Sequence, residues 1–401
     1  MKFKLMILMA LLCTQQYTSA QEIWVQRDSV KGPGKASCIS FQAYGIGFIG
    51  LGRNFDGDKR SLYSYDRLQD DWDKEESLGG DFANGLDRSS AVAFTLYNRA
   101  YIGTGKATAP FLDDFWEYNP FTDTWAQKAN FGGTPRRQAV AFGMDTLGYV
   151  GTGEDISGFT NDFWSYSPVS NQWTEVAPFP GAPRKQAIGV RMGAHGYVGT
   201  GYDGTYLNDF WSYDPDADFW TQKNDFGGTP RYGAATYAVF PNLFIVTGYD
   251  NTLSYKKDVW KYSYFGDTWE QKGDFPGPAR VNATAFTIFN KGFLGTGYNG
   301  QYLDDFYEYQ FVLSTDENAA PQIKTFPNPA TDQFTIEVGN ARNLQLGLYT
   351  LDGRDVTDKV SVQFTANSIR VSCEALATGT YIYSLSDGRE TIGSDKIILS
   401  R

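Results

Sequence analysis

The chain has one histidine, His195, and three cysteines in 401 residues. One imidazole excludes metal centres built on several histidines, and there is no Ser/His/Asp set, zinc pattern or phosphate loop. His195 lies in MGAHGYVGTG, where it reads as a hairpin residue on the face opposite the candidate site described below. Cys13 falls in the leader, which leaves Cys38 and Cys373 in different candidate domains. No histidine is near either in sequence, so both are expected to be buried free thiols rather than ligands or nucleophiles. Asp214, Asp216 and Asp218 have the spacing of a calcium loop, but Phe219 stands where that loop needs glycine. They are expected to form a turn. No metal site, cofactor or catalytic residue is assigned.

Basic residues are in deficit, 35 Lys and Arg against 46 Asp and Glu, for a formal charge of −11. That excludes nucleic acid as a partner, since phosphates need cations to displace their counterions. Long apolar runs are also missing. The longest, LMILMALLC at Leu5, follows Lys2 and Lys4 and ends before Thr18-Ser19-Ala20. This is the form of a secretory leader over 1–20, cleaved before Gln21. It is too short for a permanent span, and the mature chain offers no transmembrane segment.

Aromatic residues and glycine are abundant, and they repeat. DDFWEYNPFTDTW at Asp113 returns as NDFWSYSPVSNQW at Asn161, NDFWSYDPDADFW at Asn208 and, more loosely, KDVWKYSYFGDTW at Lys257. Upstream of each copy lies an apolar run ending in Thr-Gly: YIGTG at Tyr101, YVGTG at Tyr149, YVGTG at Tyr197, FIVTG at Phe244 and FLGTG at Phe293, the last preceding the variant copy DDFYEYQ. Closing Trp residues at 24, 72, 125, 173, 220 and 269 set a period of about 50 residues, with four strand-like runs per unit. Six Gly-ended second strands give six units. The sixth, with DDFYEYQ at Asp304, lacks its closing Trp, and EIWVQRDSVKGPGKAS at Glu22 aligns with DTWAQKANFGGTPRRQ at Asp123. Trp24 is therefore expected to supply the last strand and close a ring, which removes the sheet edges.

These motifs resemble the kelch repeat, with Gly-Thr-Gly where that family has a double glycine. The threonine is expected to suit a strand end. The resemblance covers about 22–312 and implies an all-β fold, a six-bladed kelch-type β-propeller closed by an N-terminal strand. A kelch relative oxidises through a copper radical with several His ligands, which this chain lacks. Residues 21–312 are taken as the propeller, 313–325 as a linker and 326–401 as a small Ig-like β-sandwich. In the last domain FPNPATDQFTIEV at Phe326, LDGRDV at Leu351, LATGTYIYSL at Leu376 and DKIILSR at Asp395 resemble the C-terminal sorting domain of the type IX secretion system. That resemblance implies a bacterium of the Bacteroidota and type IX machinery as the partner of 326–401. It also implies a product that is secreted or displayed on the outer-membrane surface, often after cleavage of the domain.

On a four-stranded blade, the fourth-to-first and second-to-third connections share one face, where loop chemistry would concentrate. Lys35, Arg88, Arg136, Arg184, Arg231 and Arg280 precede the innermost strands. Six converging cations suggest an anion site; the kelch resemblance implies instead a basic residue that braces neighbouring blades. Two positions on, Ser37, Ser90, Gln138, Gln186, Gly233 and Asn282 are expected to ring the channel mouth with neutral hydrogen-bonding groups. A further series, Arg53, Lys106, Glu154, Tyr202, Tyr249 and Tyr298, follows the second strands. Its three tyrosines, followed by Asp203, Asp250 and Asn299, suit a sugar or peptide. The expected function is a cell-surface binding or adhesion protein for a glycan or protein ligand. The alternative is a cofactor-free sugar epimerase or mutarotase, since some six-bladed kelch proteins of bacterial envelopes are sialic acid mutarotases; Glu154 beside an arginine would then carry the chemistry.

Overall fold

The computed structural model describes residues 21–80, 85–107, 111–312, 324–338, 344–350, 354–365, 368–386 and 391–400. The expected leader and most of the expected linker lie outside these residues. Two compact units result, one mainly Ile23–Gln310, the other mainly Phe311–Leu348 and Val356–Arg401.

The first unit contains six four-stranded antiparallel sheets. Five are continuous in sequence: Ile39–Ala43 to Asp71–Glu75, Val92–Leu96 to Thr124–Lys128, Val140–Met144 to Gln172–Val176, Ile188–Met192 to Phe219–Lys223, and Ala235–Val239 to Thr268–Gln271. The sixth joins Thr284–Ile288, Lys291–Gly295 and Phe306–Val312 to the N-terminal strand Gln21–Arg27. The first strands touch in cyclic order, the last against the first, so the ring closes. Alternation explains their sequence. In VAFGM, Val140, Phe142 and Met144 are buried between sheets, while Ala141 and Gly143 face the axis, where six strands crowd together.

The closing tryptophans hold each sheet to its predecessor. Trp125 stands opposite Tyr118, and its indole N–H donates to the Glu76 carbonyl of the preceding sheet at 2.9 Å. Trp72, Trp173, Trp220 and Trp269 donate in the same way to Asp28, Ala129, Ala177 and Asn224. The turn before each Trp ends in Asp or Asn with positive φ, Asp218 at +48° for example. Its carboxylate accepts the Tyr213 hydroxyl at 2.7 Å and the Ala177 N–H at 2.9 Å. The aspartates at 214–218 thus belong to a structural turn.

The threonines of Gly-Thr-Gly are not at ordinary strand ends. Thr104, Thr152, Thr200, Thr247 and Thr296 have φ from +57° to +66°, a region that β-branched residues avoid. What retains them is their carbonyl. The guanidinium Nη1 of Arg88, Arg136, Arg184, Arg231 and Arg280 donates to these five carbonyls at 2.8–3.1 Å. The double glycine of the family is the relaxed solution. The Thr200 hydroxyl is buried without a hydrogen-bond partner among the described residues. Thr200→Gly is therefore expected to raise stability by about 1 kcal/mol, because relief of left-handed strain outweighs the entropy that glycine loses. A urea midpoint lower than that of the parent would overturn this account.

The second unit has one sheet of Lys324–Phe326, Gln333–Glu337, Ser368–Ser372 and Ser361–Phe364, and another of Gln345–Thr350, Gly379–Ser386 and Thr391–Leu399. Phe334, Ile336, Ile369, Val371, Tyr383, Leu385 and Ile397 form its core. Cys373 is buried in that core, and among the described residues neither Cys38 nor Cys373 is in a disulfide.

Candidate functional site

The basic series lies on the face of the fourth-to-first connections, but it is not exposed there. Arg88, Arg136, Arg184, Arg231 and Arg280 pair with Asp114, Asp162, Asp209, Asp258 and Asp305; the arginine side chains are 0–1% exposed and the aspartates 15–27%. Both terminal nitrogens engage each carboxylate, at 2.6 and 2.8 Å for Arg231 with Asp258. The same carboxylates accept the indole N–H of Trp116, Trp164, Trp211 and Trp260. Four of the guanidinium groups also lie 4.7–5.0 Å over the rings of Phe131, Phe179, Phe226 and Phe275. Each side chain holds its own blade while the backbone of the same residue bonds the preceding one, as Arg136 does with Gly105 and Leu112, so the series ties neighbouring blades together and its guanidinium charges are already paired. Lys35 has instead the ring of Tyr63, 4.5 Å from its ammonium, and burial holds its pKa below the usual value.

The channel mouth also differs from expectation. Each residue of the second series has positive φ, from +53° at Gln186 to +61° at Gly233. Each backbone N–H bonds the carbonyl of the preceding member: Ser90 to Ser37, Gln138 to Ser90, Gln186 to Gln138, Gly233 to Gln186, Asn282 to Gly233 and Ser37 to Asn282, at 2.8–3.0 Å. Six bonds form a closed circle around the axis. Above it Gln186 Nε2 donates to Asn282 Oδ1 at 2.8 Å. A Cβ at Gly233 would come within 2.6 Å of that same oxygen, so a side chain there would displace the Asn282 amide. Gln186 and Asn282 thus join over Gly233 and narrow the channel on this face.

The third series remains on the surface. Arg53 is half-exposed and lies 3.5 Å from Asp58. Lys106 bridges backbone strands at Ser89 and Phe111. Glu154 accepts Arg137 Nη2 at 2.7 Å and Lys185 Nζ at 3.1 Å. Burial opposes its ionisation, but these two cations outweigh burial and hold it below the usual carboxylate range. An acid–base catalyst near neutrality needs the opposite shift. Tyr202, Tyr249 and Tyr298 join others that the sequence reading missed. Ring contacts run from Tyr202 through Tyr206 and Tyr232 to Tyr249, at 5.5–6.4 Å. They continue through Tyr255 to Tyr298 and Tyr302, and end on Phe55, at 4.9–6.5 Å. The signal for Tyr206 and Tyr302 was in the text: GYDGTY and GYNGQY each carry a second tyrosine four residues on. Burial first, then its tyrosine neighbours, push Tyr232 up to about 12, so it is a neutral donor.

The polar residues after these tyrosines serve their own loops. Asp203 caps Thr205, and Asn299 accepts from the Gln301 N–H. Asp250 is fully buried among Thr229, Thr252 and Lys256. Burial opposes its charge, but the hydroxyl and ammonium donors outweigh it and hold the pKa far below the usual range. His195 lies away from this face, and Cys38 sits just inside the backbone circle, one position after Ser37. Burial lowers the His195 pKa and pushes the Cys38 thiol up to about 11, which makes it a poor nucleophile.

Comparison with known proteins agrees with this architecture. The family described as the KLHDC2/KLHL20/DRC7 Kelch-repeats domain matches residues 37–230. The secretion system C-terminal sorting domain matches residues 324–400. No curated protein matches the chain. Among solved structures, the one titled "Structure of YjhT" superposes with a TM-score of 0.59 at 16% identity, covering 70% of this chain and 96% of that one, which shows the fold. No helix among the described residues is long and apolar enough to cross a membrane. The chain thus folds as a β-propeller whose residues 37–230 match a Kelch-repeats domain, and its residues 324–400 match a type IX sorting domain, which indicates export to the cell surface or outside.

Proposed function

We propose that this chain is a surface binding protein of a bacterium of the Bacteroidota, and that its propeller holds a glycan or protein ligand across the tyrosine arc. Residues 1–20 would direct the first export step and 326–401 the second, with 21–312 as cargo and 313–325 as linker. The observation that carries the reading is the continuous run of partly exposed tyrosines over three adjacent blades, with Tyr202, Tyr249 and Tyr298 as its repeating members. Tyrosine gives large rigid contact area and a hydroxyl at little entropic cost. Arg53 and Glu154 flank the arc on the adjoining blades, and Lys106 lies between them across the ring. Since Gln186 and Asn282 narrow the mouth on this face, the ligand would lie over the blades rather than in the channel. The mutarotase alternative has little support, because Glu154 is ion-paired and ionised.

Saturation-transfer NMR with common free sugars, sialic acid included, tests both readings. Saturation transfer without faster anomer exchange supports binding, and accelerated exchange makes the protein an enzyme. For a ligand found this way, or a purified surface protein, the variant with all three tyrosines changed to alanine is expected to bind on the order of 100-fold more weakly. Unchanged affinity in a folded variant would remove the arc from the site.

A further inference from the structure

The circle of backbone bonds bounds one end of the channel, and a cup opens at the other. Its volume is about 930 Å³, and the innermost strands of all six blades line it. None of the six ring residues contributes to the lining, which begins one position beyond them and ends at the first-to-second hairpins on the opposite face.

The wall has small residues and hydroxyls. Thr95, Thr236 and Thr287 donate their hydrogens to the carbonyls of Gln42, Phe244 and Ala238, at 2.8–2.9 Å. What these hydroxyls offer an occupant is lone pairs. Arg191 is the cation among the described lining residues, and it is engaged with the Gly193 carbonyl at 2.9 Å and Asp145 at 3.3 Å. An anion therefore finds no unsatisfied charge there. A neutral molecule with many donors of its own fits better.

The rim adds aromatic faces. Tyr44, Tyr97 and Phe289 sit on neighbouring blades and are 58%, 59% and 76% exposed. Each is the first residue of a two-residue hairpin turn, with φ of +53°, +52° and +55°. Such turns favour asparagine or glycine, and these rings stay mostly exposed, Phe289 with the Arg67 guanidinium 5.8 Å over it. Two of the turns are tied together, since the Tyr44 N–H donates to Asn98 Oδ1 at 2.9 Å.

We propose that the cup is a second binding site, on the face opposite the tyrosine arc, and that it takes the end of a neutral saccharide chain. Sugar C–H faces would stack on Tyr44, Tyr97 and Phe289, and sugar hydroxyls would donate into the wall.

The test uses the full chain with maltohexaose, cellohexaose and chitohexaose, by saturation-transfer NMR and calorimetry. At least one is expected to bind. Tyr97→Asn with Phe289→Asn removes the rings but keeps residues that tolerate the left-handed turn, and it should weaken binding at least about tenfold. Ala141→Phe, which fills the cup, should abolish binding. Ile156→Ala, an exposed residue of a second-to-third connection on the other face, should leave binding unchanged, and Tyr249→Ala tests the arc in parallel. The proposal is overturned if none of the three sugars binds at millimolar concentration, or if binding survives the rim variant with an unchanged melting temperature. Loss of binding only in Tyr249→Ala also overturns it, and would assign the sugar to the arc. Should Ala141→Phe fail to fold, the rim variant still decides.

Discussion

Asp258→Ala is expected to destabilise the propeller by about 3–5 kcal/mol, with a melting temperature lower by on the order of 10 °C. Asp258 accepts both terminal nitrogens of Arg231 and the Trp260 indole. The Arg231 side chain is fully buried. Without the carboxylate, a buried guanidinium keeps its carbonyl partners but loses its counter-charge. The strained Thr247 carbonyl depends on the same guanidinium, so the second-strand kink is disturbed as well. The double variant Arg231→Met with Asp258→Ala should recover much of the loss, because replacing a buried pair by apolar volume is often neutral. A single variant that melts within a degree or two of the parent would show that the pair contributes little.

The same pairs predict an acid limb. Burial works against ionisation of Asp162 and Asp258, but Arg136, Arg231 and the neighbouring indoles outweigh it and hold both pKa values below the usual carboxylate value. A depressed folded pKa gives stability that is complete above the unfolded value of about 4. It is lost as pH falls through the folded value. Denaturant midpoints should therefore fall below pH about 4 more steeply for the parent than for the double variant.

The architecture was legible in the sequence because it rests on side-chain period. Trp at a fixed offset after Tyr can only be a repeated cross-strand pair, and Tyr118 with Trp125 is one. The alignment of Trp24 with Trp125 led to the closing strand by the same logic. Function was less legible because it depends on where main-chain atoms go. Ser37, Ser90, Gln138, Gln186, Gly233 and Asn282 share no side-chain chemistry, and what they have in common is a left-handed backbone and a carbonyl given to the next blade. Read by side chain they look like an open polar mouth; read by backbone they stitch six blades into a narrow ring. The arginine partners were visible and passed over. Each is the Asp two residues before the third-strand Trp or Tyr, as in DDFW and NDFW. Thr200 was misread for a related reason, since β-propensity says nothing of a left-handed kink held by an arginine.

Deleting 22–27 is expected to cost the most, because ring closure rests on this strand. Its Trp24 packs edge-on against Phe275 at 5.0 Å and against Tyr237 at 6.3 Å, and tilted on Tyr309 at 5.0 Å. Its Arg27 donates to the fully buried Glu308 at 2.6–2.8 Å. Loss of the Trp contacts alone is worth about 3 kcal/mol, and stranding part of the Glu308 pairing adds about as much again. The strand's own hydrogen bonds add about 1 kcal/mol each. Together these approach the whole stability of a typical domain, about 5–15 kcal/mol. The bare edge of Phe306–Val312 would also be free to pair with other chains. The truncated protein should therefore be aggregated or molten in size-exclusion chromatography with near-ultraviolet circular dichroism. A synthetic QEIWVQRDS peptide should partly restore the parent spectrum, whereas one with Trp24→Ala should not. A soluble truncated monomer that melts near the parent temperature would mean that the other five blades hold the ring shut without the closing strand.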